Sequence, residues 1–351
     1  MPIVRLSGKV SGKNDPKRIE RAELLFYLFS DGWDIYNSNG DQTIHLSNIQ
    51  SKIIESDAFV FTPSPSLEDY FNLTSIFVGF QTNDGDLKNK PALVLNSDGS
   101  WDSFLTLLDE LRVLGTVKEH YSKYITVLKT TEELSKKLNE THINTDARFK
   151  QPMEEPDIIS AGTVIANKTK IEKPKKNICV FCSASINKPE YLQDGYDMGK
   201  LLAERKLGCI SGAGKTGIMG QVVKGAYENG GWSGGSNVPH IIEMEGLPDG
   251  LNEFWPRADI YTRMEIMIEE SAAFVIMPGG MGTFQELLAL LILKHNKDDL
   301  LKGKKIIIYN RVDEATGIKF WDIAINIINQ HNKFQSEFII VDSIDEIFKH
   351  L

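Results

Sequence analysis

Short, uninterrupted apolar runs alternate with longer amphipathic segments along most of the 351 residues. Such runs are typical of strands buried on both faces of a parallel sheet, and the segments between them have helical spacing. The pattern predicts an α/β fold with two Rossmann-like, doubly wound parallel-sheet domains. The predicted strands are 2–6, 33–37, 57–62, 91–96 and 124–128 in the first half, and 177–182, 207–211, 238–242, 272–277, 304–309 and 338–341 in the second. The helices predicted in the second half lie near 190–205, 217–229, 262–270, 283–296, 317–330 and 343–350.

An internal repeat indicates that the two halves have the same fold. The stretch "SDAFVFTP" at 56–63 resembles "SAAFVIMP" at 271–278, at an offset of 215 residues. Two further pairs follow in the same order: 88–111 with 302–328, and 122–138 with 336–351. We therefore predict a first domain at 1–140, a polar linker at 141–175 and a second domain at 176–351.

A glycine-rich turn follows the predicted strand at 207–211. Its Lys215 and Thr216 resemble the end of a P-loop, but Cys209 stands where a P-loop has its first glycine, so we disfavour that interpretation. A strand, a glycine turn and a helix N-terminus still make a common anion site, because free amide groups and the helix dipole face the ligand. A glycine turn without any ligand is the alternative.

The segment "MPGGMGTFQELLALL" at 277–291 predicts a second turn of this kind. Its glycines allow a tight turn after a buried strand, and we expect a helix to begin at Thr283. A phosphate would fit the amide groups at 280–284. Thr283 and Glu286 also match a capping box, which would explain both residues without a ligand. Because both turns follow the carboxyl ends of strands in one sheet, we expect them to face one crevice.

These residues resemble the motifs of the LOG family, long labelled "possible lysine decarboxylase". The family's hallmark, PGGxGTxxE, is complete at 278–286. Its FCGSS strand motif is similar to residues 181–185, and its GGGxxGLMG turn is similar to residues 211–220. The family's Arg-Lys pair before the PGG strand is similar to Arg263 and Met264.

The resemblance covers about residues 176–351 and, more faintly, 1–140. It implies an enzyme that hydrolyses the N-glycosidic bond of nucleoside 5′-monophosphates, including cytokinin ribotides, without a metal or a cofactor. Arg263 and Glu286 are the implied catalytic residues. The arginine would hold an anion or the substrate, and the carboxylate would stabilise the charge on the ribose, orient its hydroxyls or assist water. The implied phosphate- and substrate-binding residues are Ser183, Ser185, Gly212, Gly214, Gly217, Met219, Gly279, Gly280, Gly282 and Thr283, of which the two serines could equally be turn formers.

Departures from the family pattern keep other functions open. Met264 replaces the family's lysine, Ala213 replaces a glycine, and the segment 230–240 carries extra residues, which leaves the preferred base undetermined. A non-catalytic nucleotide sensor or carrier is the main alternative, followed by another ribosyl or phosphoribosyl transfer. Lysine decarboxylation is disfavoured because no lysine lies in a pyridoxal-binding context.

The first domain lacks the catalytic pattern. At the offset of 215 residues, the positions of Gly279, Gly280, Arg263 and Glu286 are held by Ser64, Pro65, Asn48 and Phe71. We predict a degenerate copy without catalysis. It would either supply a partner surface within one chain or bind a regulator, and the sequence does not choose between these roles. We expect either a homo-oligomer or an intramolecular pseudo-dimer.

Charge and hydropathy argue against several other classes. The net charge of −9 disfavours a nucleic-acid-binding face, and no apolar run is long enough to predict a membrane span. The N-terminus lacks the apolar core of a signal peptide, so we expect a cytoplasmic protein. The family resemblance implies that its partner is a small-molecule nucleotide. Three cysteines do not make a disulfide framework. Cys179 and Cys182 form a CxxC, which we interpret as two buried strand residues rather than a metal site.

Overall fold

The computed structural model describes residues 1–8, 17–37, 46–141 and 171–351. The chain divides into two compact units, Met1–Val113 with Val117–Pro152 and Leu114–Thr116 with Met153–Leu351. Each unit contains a parallel sheet, so the predicted α/β fold with two parallel-sheet domains is confirmed. Most of the predicted linker at 141–175 lies outside the described residues.

The first unit is built on five parallel strands. They are β1 Ile3–Ser7, β2 Asp34–Asn37, β3 Ala58–Phe61, β4 Ala92–Leu95 and β5 Thr126–Leu128. Its described helices include α1 Lys17–Ser30, α2 Ile49–Glu55, α3 Leu67–Gln81, α4 Asp102–Val113 and α5 Thr131–Glu140. The sheet order is β2-β1-β3-β4-β5, and β3 and β4 are buried along their whole length. All five strands predicted from sequence are present, with bounds that differ by at most two residues.

The second unit is built on seven parallel strands. They are β6 Asn177–Phe181, β7 Gly208–Ser211, β8 Ser233–Asn237, β9 Glu253–Pro256, β10 Ala273–Ile276, β11 Lys305–Tyr309 and β12 Ile339–Val341. Its described helices include α6 Pro189–Glu204, α7 Gly217–Glu228, α8 Pro239–Glu245, α9 Ile260–Glu269, α10 Met281–His295, α11 Asp322–Asn329 and α12 Ile344–His350. The sheet order is β12-β11-β10-β6-β7-β8-β9. Because the chain leaves β6 toward one edge and returns through β10 toward the other, the topological switch point lies between β6 and β10.

The predicted strand at 238–242 is wrong. Most of these residues belong to α8, which begins at Pro239. Proline suits the first position of a helix because its φ is fixed near the helical value and its missing N–H would have no intrahelical partner there. The strand beside β7 is instead β8, and β9 lies beyond it; neither was predicted.

The sequence of β8, "SGGSN", contains no apolar side chain, although all five residues are buried. Its glycines are required by close packing. A Cβ on Gly234 would lie 2.6 Å from the ring of Trp232, and a Cβ on Gly235 would lie 2.8 Å from the carbonyl oxygen of Ser211. The strand is therefore invisible to a search for apolar periodicity, because neighbouring side chains fill the space that its own would occupy.

Two predicted helices begin elsewhere. The helix expected from Thr283 begins at Met281, and the helix expected from Gly317 begins at Asp322. Among the described residues, no helix is both long enough and apolar enough to cross a lipid bilayer.

Candidate active site

The turn between β10 and α10 carries the PGG residues at the switch point. Gly280 is the N-cap of α10, and its carbonyl oxygen accepts the first intrahelical hydrogen bond, from the amide of Phe284 (3.0 Å). The amides of the α10 residues that precede Phe284 therefore have no acceptor within the helix. They lie at the carboxyl end of the sheet, where open α/β sheets commonly bind ligands.

The capping-box interpretation of Thr283 and Glu286 is wrong. Thr283 is the third residue of α10 rather than its N-cap, and no side chain caps this helix end. The Thr283 side chain instead covers Gly279, where a Cβ would lie 2.2 Å from its Oγ1. At Gly282, by contrast, a Cβ would meet no atom of the described chain within 4 Å. At the N-terminus of α10, the Thr283 side chain therefore fills the space beside Gly279, whereas the space beside Gly282 is empty of described atoms.

Arg263, on α9, links three separate segments of the second unit. Its Nε donates a hydrogen bond to the carbonyl oxygen of Ser236 (2.9 Å), and its Nη2 donates one to the carbonyl oxygen of Gly212 (3.2 Å). Its Nη1 lies 3.8 Å from Oε1 of Glu286. A Cβ on Gly212 would lie 1.9 Å from Nη2, so this position must be glycine for the guanidinium to lie where it does.

Glu286 is a buried carboxyl group with only 6% of its surface exposed. Burial raises its pKa to about 8, because the charged form loses hydration, while Arg263 opposes this shift and Glu245 adds to it. The carboxyl group is therefore mostly protonated at neutral pH. A carboxyl group with a pKa this close to neutrality is suited to acid–base chemistry.

The turn after β6 holds Ser183 and Ser185. The Ser183 hydroxyl oxygen accepts hydrogen bonds from the amides of Ser185 (3.0 Å) and Ile186 (3.1 Å), so Ser183 is at least a turn former. The Ser183 carbonyl oxygen accepts a hydrogen bond from the amide of Met219 (3.1 Å), which joins this turn to the start of α7.

Gly217 and Met219 fix the glycine turn after β7. Gly217 has φ +63, and a Cβ there would lie 2.5 Å from the carbonyl carbon of Ala184, so glycine is required on both grounds. The Met219 sulfur accepts a hydrogen bond from the amide of Gly214 (3.0 Å). The predicted residues of both glycine turns therefore lie around the same strand ends as Arg263.

Glu245 was not predicted as a site residue. It is the last residue of α8, and its Oε2 would lie 2.5 Å from a Cβ on Gly214. Burial raises its pKa, and Arg263 opposes the shift. The one sequence signal that could have located it is Pro239, which marks the start of the helix that carries it.

The cysteines are free thiols. Cys179, Cys182 and Cys209 are all buried and form no disulfide. Burial raises the pKa of each thiol, so these side chains are packed, protonated groups beneath the strand ends.

An open parallel sheet with glycine turns at its carboxyl end is typical of Rossmann-like nucleotide-binding proteins. Residues 219–349 match the protein-family model described as possible lysine decarboxylase. The predicted LOG-family resemblance is therefore confirmed over this part of the second unit, which includes Arg263 and the whole PGGxGTxxE motif.

The curated relatives support the same family. A probable cytokinin riboside 5′-monophosphate phosphoribohydrolase from Oryza sativa subsp. japonica is 36% identical over 124 residues, 34% of this chain and 52% of the relative. A cytokinin riboside 5′-monophosphate phosphoribohydrolase from Arabidopsis thaliana is 34% identical over 122 residues, 33% of this chain and 54% of the relative. The chain thus spans about half the length of the curated relatives it matches.

Solved structures with similarity include a molybdenum cofactor binding protein from Rippkaea orientalis. It has 20% identity and a TM-score of 0.38, and the match covers 51% of this chain and 96% of that one. The molybdenum cofactor carrier protein from Chlamydomonas reinhardtii has 18% identity and a TM-score of 0.37, with 51% and 98% covered.

Proposed function

We propose that the second unit hydrolyses the N-glycosidic bond of nucleoside 5′-monophosphates, giving the free base and ribose 5-phosphate. The observation that carries the proposal is the Arg263–Glu286 pair, with Nη1 and Oε1 3.8 Å apart and both side chains nearly buried. Curated relatives named as phosphoribohydrolases support it, and the family-model match at 219–349 contains both residues.

The chemistry requires a proton and a water. The bond between C1′ and the base breaks with its electron pair going to the base, and a water oxygen bonds to C1′. Glu286, mostly protonated at neutral pH because burial raises its pKa to about 8, donates the proton that lets the base leave as a neutral molecule. Arg263 holds the substrate in a fixed pose, because two backbone carbonyl oxygens already orient its guanidinium.

The 5′-phosphate is assigned to the N-terminus of α10. The amides of its first turn and the positive end of the helix dipole attract an anion. The open space at Gly282 leaves room for a phosphate to approach these amides. Cytokinin ribotides are one substrate class within this proposal, because the matched relatives are named for them.

The test is an incubation with AMP, GMP, CMP, UMP, IMP and isopentenyl-AMP that follows free base and ribose 5-phosphate. We expect release from at least one nucleotide, and a loss of about 10²-fold or more in Glu286→Gln. Glu228→Gln, at the exposed end of α7, is the matched control and should leave release unchanged. Release that survives in Glu286→Gln would contradict the assignment of this residue.

A non-catalytic nucleotide sensor or carrier is the second candidate. Met264, which stands where the family has a lysine, is 2% exposed and packs in the core. Position 264 therefore contributes no charged side chain to the candidate site. Saturable binding of a nucleotide without base release, measured in the same incubations, would favour this function over the hydrolase.

We further propose that the first unit has no such site. Its helix α3 begins after Ser66, whose side chain caps the helix together with Asp69 in a capping box. The amides that α10 leaves for a ligand are thus partly satisfied by the protein itself at α3. Asn72, the sixth residue of α3, has the same position in its helix as Glu286 has in α10 and carries no titratable group.

A further inference from the structure

The turn after β6, residues 183–188, is fixed at its start by the two neighbouring turns of the candidate site. The Ser183 amide donates a hydrogen bond to the carbonyl oxygen of Pro278 (3.1 Å), the first residue of the PGG turn. The Thr216 hydroxyl, just before α7, donates one to the carbonyl oxygen of Ala184 (2.7 Å). The turns after β7 and β10 therefore both hold the start of the β6 turn.

The far end of the β6 turn is held by a third connection. Lys188 is the N-cap of α6, but its side chain does not cap that helix. Its Nζ instead donates a hydrogen bond to Oδ2 of Asp313 (2.6 Å), in the segment after β11. Between the two ends, Ser185 is exposed whereas Ser183 is buried, so a ligand can reach only the first of these two predicted substrate-binding serines.

Asp313 is fully buried, and its two carboxylate oxygens have different partners. The amide and the hydroxyl of Thr316 donate hydrogen bonds to Oδ1 (3.0 and 2.9 Å). The Tyr191 hydroxyl, on α6, donates one to Oδ2 (2.8 Å), beside the one from Lys188. A buried carboxylate needs such donors because it has lost its hydration. Oδ1 therefore fastens the loop that contains Asp313, and Oδ2 fastens the start of α6 to that loop.

The loop that carries Asp313 is longer than its counterpart in the first unit. In each unit an asparagine side chain accepts a hydrogen bond from a tryptophan amide and donates one to the next aspartate: Asn96 with Trp101 and Asp102, and Asn310 with Trp321 and Asp322. The enclosed segment is 97–100 in the first unit and 311–320 in the second. The longer one forms a short hairpin, in which the Asp313 amide donates a hydrogen bond to the carbonyl oxygen of Ile318 (2.8 Å). The unit with the PGG motif thus carries an additional hairpin, and the hairpin supplies the carboxylate that binds Lys188.

We propose that Asp313 is a positioning residue of the candidate site, which fixes the turn that presents Ser185 to the nucleotide. The substrate in this inference rests on the proposed function, whereas the contact between the hairpin 311–320 and Lys188 does not. Because both ends of the β6 turn are held, the Ser185 hydroxyl is ordered before a ligand arrives, and binding does not have to supply that ordering. Lys188 is the link, and its charge is already paired with Asp313.

Two variants cut this link from opposite ends. Asp313→Asn keeps an oxygen for Thr316 but has no charge to attract Lys188, and Lys188→Met removes the ammonium group at a half-buried position where the fold tolerates the change. In both we expect hydrogen exchange of the two amides that bond to the Ser183 hydroxyl to rise about ten-fold, the effect of losing one hydrogen bond to a charged group. KM for the nucleotide should also rise about ten-fold, while kcat changes by less than about two-fold.

Lys188→Arg keeps a charged donor and should restore both values toward those of the wild type. Lys319→Met is the matched control, because it breaks an exposed ion pair between the same hairpin and Asp342 and should leave exchange at the β6 turn and KM unchanged. NMR follows the exchange of single amides, and steady-state kinetics give KM and kcat.

Exchange that rises within the hairpin but not at the β6 turn would make Asp313 a stabiliser of its own loop and overturn the proposal. Faster exchange at the turn with an unchanged KM would overturn it too. Tighter nucleotide binding in Asp313→Asn would mean that the freed Lys188 contacts the phosphate itself, which also contradicts a positioning role. If the wild type binds nucleotides without releasing base, the hydrolase fails, and the Kd for AMP takes the place of KM in the same comparison.

Discussion

The guanidinium of Arg263 lies in the space that a Cβ on Gly212 would occupy. The arginine is held by Ser236 and Gly212 carbonyl oxygens and reaches Glu286, so any displacement changes all three contacts. This makes the glycine a sensitive point for function, although its own backbone conformation is one that other residues adopt.

We predict that Gly212→Ala lowers base release by about 10²-fold, because the new methyl group moves the guanidinium out of position. Stability should fall as well, since the displaced guanidinium gives up its hydrogen bonds to the carbonyl oxygens of Ser236 and Gly212. Gly85→Ala, where a Cβ would meet no described atom within 4 Å, is the control. Steady-state kinetics and thermal unfolding of both variants check the prediction; unchanged kcat/KM in Gly212→Ala would contradict it.

The raised pKa of Glu286 also predicts a pH dependence of stability. The folded chain holds this proton up to about pH 8, whereas the unfolded chain releases it near the ordinary value of 4.5. Between these two values Glu286 is protonated in the folded state and ionised in the unfolded state. Its contribution to the free energy of unfolding therefore falls as pH rises and is smallest above pH 8. Glu286→Gln should therefore lose less stability than the wild type between pH 5 and pH 9, by on the order of a few kcal/mol. Denaturant unfolding at the two pH values measures this, and parallel losses in both proteins would be evidence against a buried, protonated Glu286.

Arg263, Glu286 and both glycine turns were predicted from the sequence because they resemble motifs of one family, and their catalytic and binding roles stay predictions. Glu245 was not predicted. That residue belongs to no motif, and its carboxylate lies beside Gly214 only because α8 ends near the turn after β7. Its position beside Gly214 depends on a long-range contact, which a local pattern does not contain.

Among the elements, α10 is buried along most of its length and also carries the proposed phosphate site at its N-terminus. Its second residue, Gly282, has open space around its Cα within the described chain, so packing does not require a glycine there. Alanine is the better helix former by about 1 kcal/mol.

We predict that Gly282→Ala keeps or raises the melting temperature but weakens nucleotide binding, because the methyl group enters the space assigned to the phosphate. Isothermal titration with AMP and with adenosine separates the two effects: only the binding of AMP should weaken. An equal loss for both ligands would place the phosphate elsewhere.

Elements were predicted well where apolar runs are continuous, as in β6 and β10, which are buried along their whole length. They were missed at β8, which has no apolar side chain, and at β9, whose four residues are only half-buried. Trp232 and Trp255 lie against Gly234 of β8, so these apolar side chains come from outside that strand. The predicted strand at 238–242 followed the apolar residues after Pro239, which belong to a helix instead.

For the whole molecule, each unit has its own sheet and its own buried residues, which is the usual requirement for independent folding. Lys173 stabilises the start of the second unit. Its Nζ lies 2.9 Å from Glu253 and 2.7 Å from Glu270, and 5.1 Å from the ring centroids of both Trp232 and Trp255.

We predict that residues 171–351 fold alone with a cooperative thermal transition, and that a piece starting at Asn177, which lacks Lys173, melts several degrees lower. Circular dichroism of the two pieces tests this. An unfolded 171–351 piece would mean that the second unit depends on residues before 171, which include its own segment Leu114–Thr116. If the full chain releases base and the folded piece does not, residues before 171 supply something that the reaction needs.

The three thiols of the chain all lie in the second unit, and all are buried with a raised pKa. Iodoacetamide reacts with an exposed thiolate, so none of the three is a target while this unit stays closed. Each alkylation event then marks an opening of the second unit, and the first unit contributes no signal at all. Mass spectrometry of the intact chain during slow alkylation can therefore measure how often the second unit opens, with no contribution from the first unit. A nucleotide that binds the closed second unit would lower this alkylation rate, so its binding would be detected without any assay of its chemistry.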